Sequence, residues 1–144
     1  MQKRKKSIAI MLALCFLALA LVFFGLWQSA RHERSDLRRL AQAGASEAYQ
    51  CFLGFQARGE ESDYWYGVAA FRSYENAYTL LTEDTNQAGN RIFVNEVYGS
   101  LVLFPERSRT HISELLEVLA LLSDNVEDPN AYARMSDLRN SLQE

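Results

Sequence analysis

Cysteine and histidine are scarce in this chain of 144 residues, with two of each. Cys15 falls inside an apolar run and Cys51 on the apolar face of a helical segment, so no disulfide framework can be built from them. Cys51 has no histidine or basic residue close in sequence to stabilise a thiolate, and it reads as a small buried hydrophobe; a nucleophilic pairing with His111 would need a coincidence of folding that nothing in the sequence supports. The shortage of histidine removes most metal chemistry as well. Paired zinc cysteines and His-Glu-x-x-His are missing, and the Glu-x-x-His pairs that carboxylate di-iron bundles require are replaced by Ser29 before His32 and Ser108 before His111. His111 and Glu114 lie one helical turn apart, but two ligands make a solvated helix face before they make a metal site. No phosphate-binding glycine loop is present either. The chain is therefore expected to be no enzyme and to carry no cofactor or metal.

Lysine is absent beyond Lys6, a compositional bias with no evident physical cause. From position 40 onward seven arginines face sixteen aspartates and glutamates, a formal balance of −9. A domain so acidic repels phosphate backbones, which excludes nucleic acid as a partner. No internal repeat or low-complexity linker is visible.

Against these absences stands one long hydrophobic run. The twenty residues Ile8 to Trp27 carry no charge, and Lys3, Arg4, Lys5 and Lys6 precede them. As a helix this run covers roughly 30 Å, the thickness of a bilayer's hydrocarbon core. It exceeds the apolar core of a cleaved secretory signal, and no small-x-small site follows it: cleavage after Ala30 would place Gln28 where a small residue belongs. Bulky Leu14 before Cys15 argues against lipoprotein processing. The expected organisation is a basic tail over 1–7, a transmembrane signal anchor over 8–27 and one acidic domain over 28–144. Orientation rests on charge. Four basic residues on each flank tie the positive-inside count, but the N-terminal four abut the span while Arg31, Arg34, Arg38 and Arg39 are spread over nine positions. The tail is thus expected in the cytoplasm and the domain outside, in a single-pass cell-membrane protein of bacterial type.

The domain reads as all-α. Ser35 is a candidate N-cap, and Leu37, Ala41, Gly44, Ala48, Cys51 or Phe52, and Phe55 form a helical seam stopped by Gly59. Nothing between Trp27 and Ser35 breaks a helix, so span and first helix can equally be continuous. Ala41, Gly44, Ala45 and Ala48 would admit a second helix at close range. That helix is expected from Glu61 to Thr82 on the seam of Tyr64, Val68, Phe71, Tyr74 or Glu75, Tyr78 and Leu81. Residues 91–104 are ambiguous: Phe93, Val97, Leu101 and Phe104 have helical spacing, while Gly99-Ser100 could turn a hairpin; helix is favoured, because a lone hairpin would lack partners for its edges. Ile112, Leu115, Leu116, Leu119 and Leu122 mark a further helix, and Asp128-Pro129 caps and opens the last, with Tyr132, Met135, Leu138 and Leu142 on one side. Short connections among four or five such helices imply an antiparallel bundle.

Two surface features could carry function. Arg31, Arg34 and Arg38 fall within about 60° on a helix, with Glu33 and Asp36 opposite. They suit anionic headgroups, a polyanionic wall polymer or an acidic partner, with plain solvation of the membrane flank as the simpler account. Tyr64-Trp65-Tyr66 advance about 100° each, too wide an arc for one core face, so at least one is expected at the surface as a partner anchor. The function expected from all this is a non-enzymatic interaction or scaffolding module, tethered to the lipid bilayer and binding another membrane or envelope protein, with self-association left open. The alternative is a single-pass sensory bundle that binds a ligand in an aromatic-lined pocket and acts through a partner.

Overall fold

The computed structural model describes the backbone of residues 2–143 and the side chains of residues 16–143. Every element in it is helical, in the order α1 (Gln2–Arg58), α2 (Glu61–Thr82), α3 (Ala88–Leu103), α4 (Pro105–Thr110), α5 (Ile112–Asp124) and α6 (Pro129–Gln143). The chain divides into two compact units, Met1–Ser35 and Asp36–Glu144. Ser35 lies within α1 and does not cap a new helix, because no residue around it interrupts the backbone hydrogen bonding.

In the first unit the apolar side chains from Phe16 to Trp27 are exposed; Phe16, Leu17, Leu21, Phe23 and Trp27, which point in different directions around the helix, are all more than half accessible. Among the described residues no helix is long and apolar enough to cross a membrane. The expected span, residues 8–27, falls in part on residues 8–15, whose side chains lie outside the described residues. The twelve that remain, 16–27, cover only about 18 Å of the roughly 30 Å a span requires.

The second unit is a closed helical bundle. Gly59 ends α1 with φ +70°, and its N–H bonds back to the Phe55 carbonyl at 2.7 Å, so the chain reverses within two residues into α2. On α1 the stripe of small residues lets α2 approach closely. A Cβ added at Gly44 would lie 2.7 Å from the backbone nitrogen of Tyr74, and one at Gly67 would meet the Phe52 ring at 2.9 Å. Contacts continue from Gly44 and Tyr74 to Phe52 and Gly67 and on to the Phe55 and Tyr64 rings, with numbers rising on α1 as they fall on α2, so the pair is antiparallel.

The same logic orders the remaining helices. Tyr64 meets Leu101 and Glu75 meets Asn95, making α2 and α3 antiparallel. Gln42 reaches the Asp124 carbonyl and Gln56 reaches Ser113, both at 2.9 Å, making α1 and α5 antiparallel. The short 124–129 connection folds α6 back on α5, where Arg134 pairs with Glu117. Since α3 also packs on α6, the five long segments close a ring in the order α1, α2, α3, α6, α5. A ring of five cannot alternate throughout. The expected antiparallel bundle is therefore broken at one place: α3 and α6 run parallel.

The ambiguous segment is helix, with Val94, Val97 and Leu101 buried and Phe104 left outside as the residue that ends α3. Gly99 and Ser100 sit inside it, and Ser100 Oγ bonds the Glu96 carbonyl one turn back. The six-residue α4 escaped the pattern analysis because it is too short to show a periodicity; Pro105 opens it as a first helical residue. Asp128 caps α6 as expected, its Oδ1 accepting the Asn130 N–H at 2.8 Å.

Three tyrosines fill the middle of the ring. Tyr74, Tyr78 and Tyr132 stack in sequence, with ring centroids 5.8 and 5.1 Å apart. The Val126 carbonyl can only accept, so the Tyr132 hydroxyl donates to it and in turn accepts the hydrogen of Tyr74 at 3.1 Å. Tyr78 donates to Gln87 Oε1 at 3.1 Å. Burial pushes the phenols of Tyr74, Tyr78 and Tyr132 above the ordinary tyrosine value; for Tyr74 the hydrogen bond to Tyr132 offsets this only in part.

Two outcomes follow for the Asp36–Glu144 unit. Gly44→Ala should destabilise it by about 1–3 kcal/mol in urea titration, because the α1–α2 backbones must separate. At Gly99 an added Cβ meets nothing within 4 Å, so Gly99→Ala should stabilise by up to about 1 kcal/mol through helix propensity. Equal effects at both positions would refute the close approach. The second concerns pH. The folded-state tyrosine values are raised, so the unfolded chain gives up these protons first: their contribution to stability is complete below about pH 10 and is lost as pH rises beyond it. Alkaline titration by circular dichroism should show helix loss above that point and none approaching it from neutrality.

Candidate functional site

The turn between α1 and α2 marks one end of the bundle, where the C-terminal ends of α1, α3 and α6 meet the N-terminal ends of α2 and α5, with α4 alongside. The expected aromatic run opens α2 here, and its 100° steps sort the three rings into different environments. Tyr64 is fully buried. It packs edge-on against Phe52 and Phe55 at 5.7 and 5.4 Å and donates its hydroxyl to the Leu101 carbonyl at 2.8 Å. As a candidate partner anchor Tyr64 is therefore corrected to a core residue that ties α2 to α3. Burial raises its phenol above the ordinary value, partly offset by the Arg109 charge. Trp65 is 42 % exposed and Tyr66 66 % exposed. The indole stands edge-on to Tyr64 at 5.3 Å, and its Nε1 donates to Glu61 Oε1 at 2.9 Å.

Sequence periodicity missed the neighbours of this pair. Beyond Leu101, where Tyr64 docks, α3 ends in Val102, Leu103 and Phe104, of which Leu103 is 70 % and Phe104 53 % exposed. Phe104 has helical spacing with Phe93, Val97 and Leu101, but the helix ends before it, so its side chain leaves the packed face, and the Arg107 guanidinium lies over its ring at 5.6 Å. The tip that joins α3 to α4 thus adds two large apolar side chains to the end that carries Trp65 and Tyr66. The signal was in the sequence as Leu-Val-Leu-Phe before Pro105: four apolar residues running straight into a helix boundary cannot all be buried by one face.

Arginines at this end are engaged within the fold. Arg58 pairs with Asp63 at 2.6 Å, and Arg109 pairs with Glu61 and with Glu106 while lying over the Tyr64 and Phe55 rings at 5.0 and 5.8 Å. The expected arginine stripe is divided. Arg31, in the first unit, rests over the Trp27 ring at 5.4 Å, and Arg34 is exposed. Arg38, in the second, binds Glu127 at 2.7 Å, which joins α1 to the α5–α6 connection and leaves it less available to an external anion.

Elsewhere the chemistry is sparse. Cys51 is partly buried, and burial first, then Glu47 and Asp63, pushes its thiol up, opposite to what a nucleophile needs. His111 meets Glu114 at 3.1 Å, and among the described residues no three His, Cys, Asp or Glu side chains gather around a common point. An open cleft of about 510 Å³ lies between α2 and α3, lined by residues that include Glu75, Thr79, Arg91, Ile92 and Glu96. Glu75, buried at its side, is held by Arg72 and by Asn95 at 3.3 Å, and Arg72 lies over the Tyr98 ring at 4.8 Å. The cleft has no aromatic lining, unlike the pocket expected of a sensory bundle. No family model matches the chain, and no curated protein or solved structure is significantly similar to it.

The three aromatics should separate in an alanine series. Tyr64→Ala should lose about 3–5 kcal/mol of stability, whereas Tyr66→Ala should stay within about 0.5 kcal/mol and Trp65→Ala should fall between them. Urea titration of each variant checks this; comparable large losses at all three positions would place the whole run in the core.

Proposed function

We propose that this protein is a membrane-anchored, non-enzymatic interaction module that binds another membrane or envelope protein through the end of its bundle bearing Trp65, Tyr66, Leu103 and Phe104. The observation that carries the reading is that Trp65, Tyr66, Leu103 and Phe104, four large exposed apolar side chains of which three are aromatic, fall at one end of the bundle, while the exposed apolar side chains at the other end, Leu40, Leu80 and Ile92, are all aliphatic. Aromatic residues are favoured as interface anchors because they bring much contact area with few rotatable bonds. The anchor is supported by the uncharged run 8–27 in the sequence and by the exposure of its described part around the helix, since a helix apolar on all sides needs an apolar surrounding. With the basic tail inside, the bundle faces outward.

Photocrosslinking in intact cells tests both parts. A photoreactive side chain at Tyr66 or Phe104 should give the same discrete protein adduct, and one at exposed Ser73 or Ala133 should not. Adducts at all four positions, or at neither member of the first pair, would remove the docking assignment. Alkaline carbonate should leave the protein in the membrane pellet, and Ser141→Cys in a cysteine-free background should react with an impermeant maleimide before lysis. Extraction by carbonate overturns the anchor, and labelling only after lysis overturns the orientation.

A further inference from the structure

An exposed tryptophan on a helix surface ordinarily samples several rotamers, and a partner must select one of them. Trp65 is constrained on two sides. Its indole edge meets the buried Tyr64 ring at 5.3 Å and 86°, and its N–H is spent on Glu61 Oε1, one turn earlier in α2. That oxygen has a second donor, since Arg109 Nη2 from α4 bonds it too. Arg109 is itself fixed: Nη1 binds Glu106 Oε1 at 2.9 Å, and the guanidinium is stacked over Tyr64 and Phe55. A rigid cation from another element thus orients the carboxylate that orients the indole.

We propose that Glu61 and Arg109 are positioning residues that hold the Trp65 indole in one orientation at the surface, making it a preorganised anchor; this rests on the docking reading above. Because the only hydrogen-bond donor of the indole is already used, the exposed part offers its π face and apolar edge. The matching feature on the partner is an apolar side-chain pocket, and a hydrogen-bond acceptor aimed at the ring nitrogen would find it taken.

The chain contains only Trp27 and Trp65, so the full-length Trp27→Phe protein in detergent micelles reports Trp65 alone. Time-resolved fluorescence anisotropy should show little fast depolarisation in this parent. Glu61→Ala should raise the fast component about threefold or more with unchanged helical ellipticity, and Glu61→Gln, which keeps an accepting oxygen, should recover part of the order. In cells, the adduct from the Tyr66 photoprobe should fall about three- to tenfold with Glu61→Ala, as expected when an ordered anchor becomes mobile. Equal mobility in parent and Glu61→Ala overturns the positioning role. A freed indole with undiminished crosslinking overturns preorganisation while the docking reading stands. A parent that gives no adduct from the Tyr66 probe overturns the docking reading and the anchor role with it, whatever the anisotropy shows.

Discussion

The approach of α2 to the small-residue stripe of α1 governs the rest of the bundle. At Gly44 the two backbones come so near that no side chain fits between them, which fixes both the depth and the register of Tyr74. Once Tyr74 is placed in the middle of the ring, its hydroxyl must find an acceptor away from water. It finds Tyr132, which passes the obligation to the Val126 carbonyl in the α5–α6 connection. A close contact between two neighbouring helices is thereby transmitted, through one ring and two hydroxyls, to the placement of the last helix.

The ring also explains where the surface is left unfinished. Five segments cannot alternate around a closed circuit, and the parallel pair α3 and α6 has to be joined by more than a tight turn. The chain leaves α3 through the Leu103–Phe104 tip, crosses by α4 and descends in α5 before α6 returns. That detour places its apolar tip beside the start of α2, where Trp65 and Tyr66 already face solvent. The exposed aromatic end is in this sense a product of topology as well as of composition.

Much of the fold was legible because long helices write their period into the sequence. The seams of α2, α5 and α6 were read residue by residue, and so were the stop at Gly59 and the cap at Asp128. What was not legible depends on partners distant in sequence or on elements too short to repeat. Tyr64 stands both on the α2 seam and among the three candidate anchors, because a helical arc gives directions without saying which neighbour fills each of them; the Leu101 carbonyl that claims its hydroxyl is thirty-seven residues away. Arg38 looked free for headgroups because Glu127, its partner, comes from the far side of the chain. The α4 turn and the Phe104 tip left no periodic trace, and the parallel pair follows only once the ring is known to close.

The tyrosine chain has an evolutionary consequence. Tyr132 serves two clients: it receives the hydrogen of Tyr74 and supplies one to Val126. Replacing Tyr74 by phenylalanine removes a donor and leaves the remainder satisfied, whereas replacing Tyr132 strands a donor and an acceptor together in a buried site. The effect of a change at position 132 therefore depends on what stands at 74, a directional epistasis in which one order of substitution passes through a mild intermediate and the other through a severe one. Lineages descending from this sequence should shed the hydroxyl at position 74 before the one at position 132.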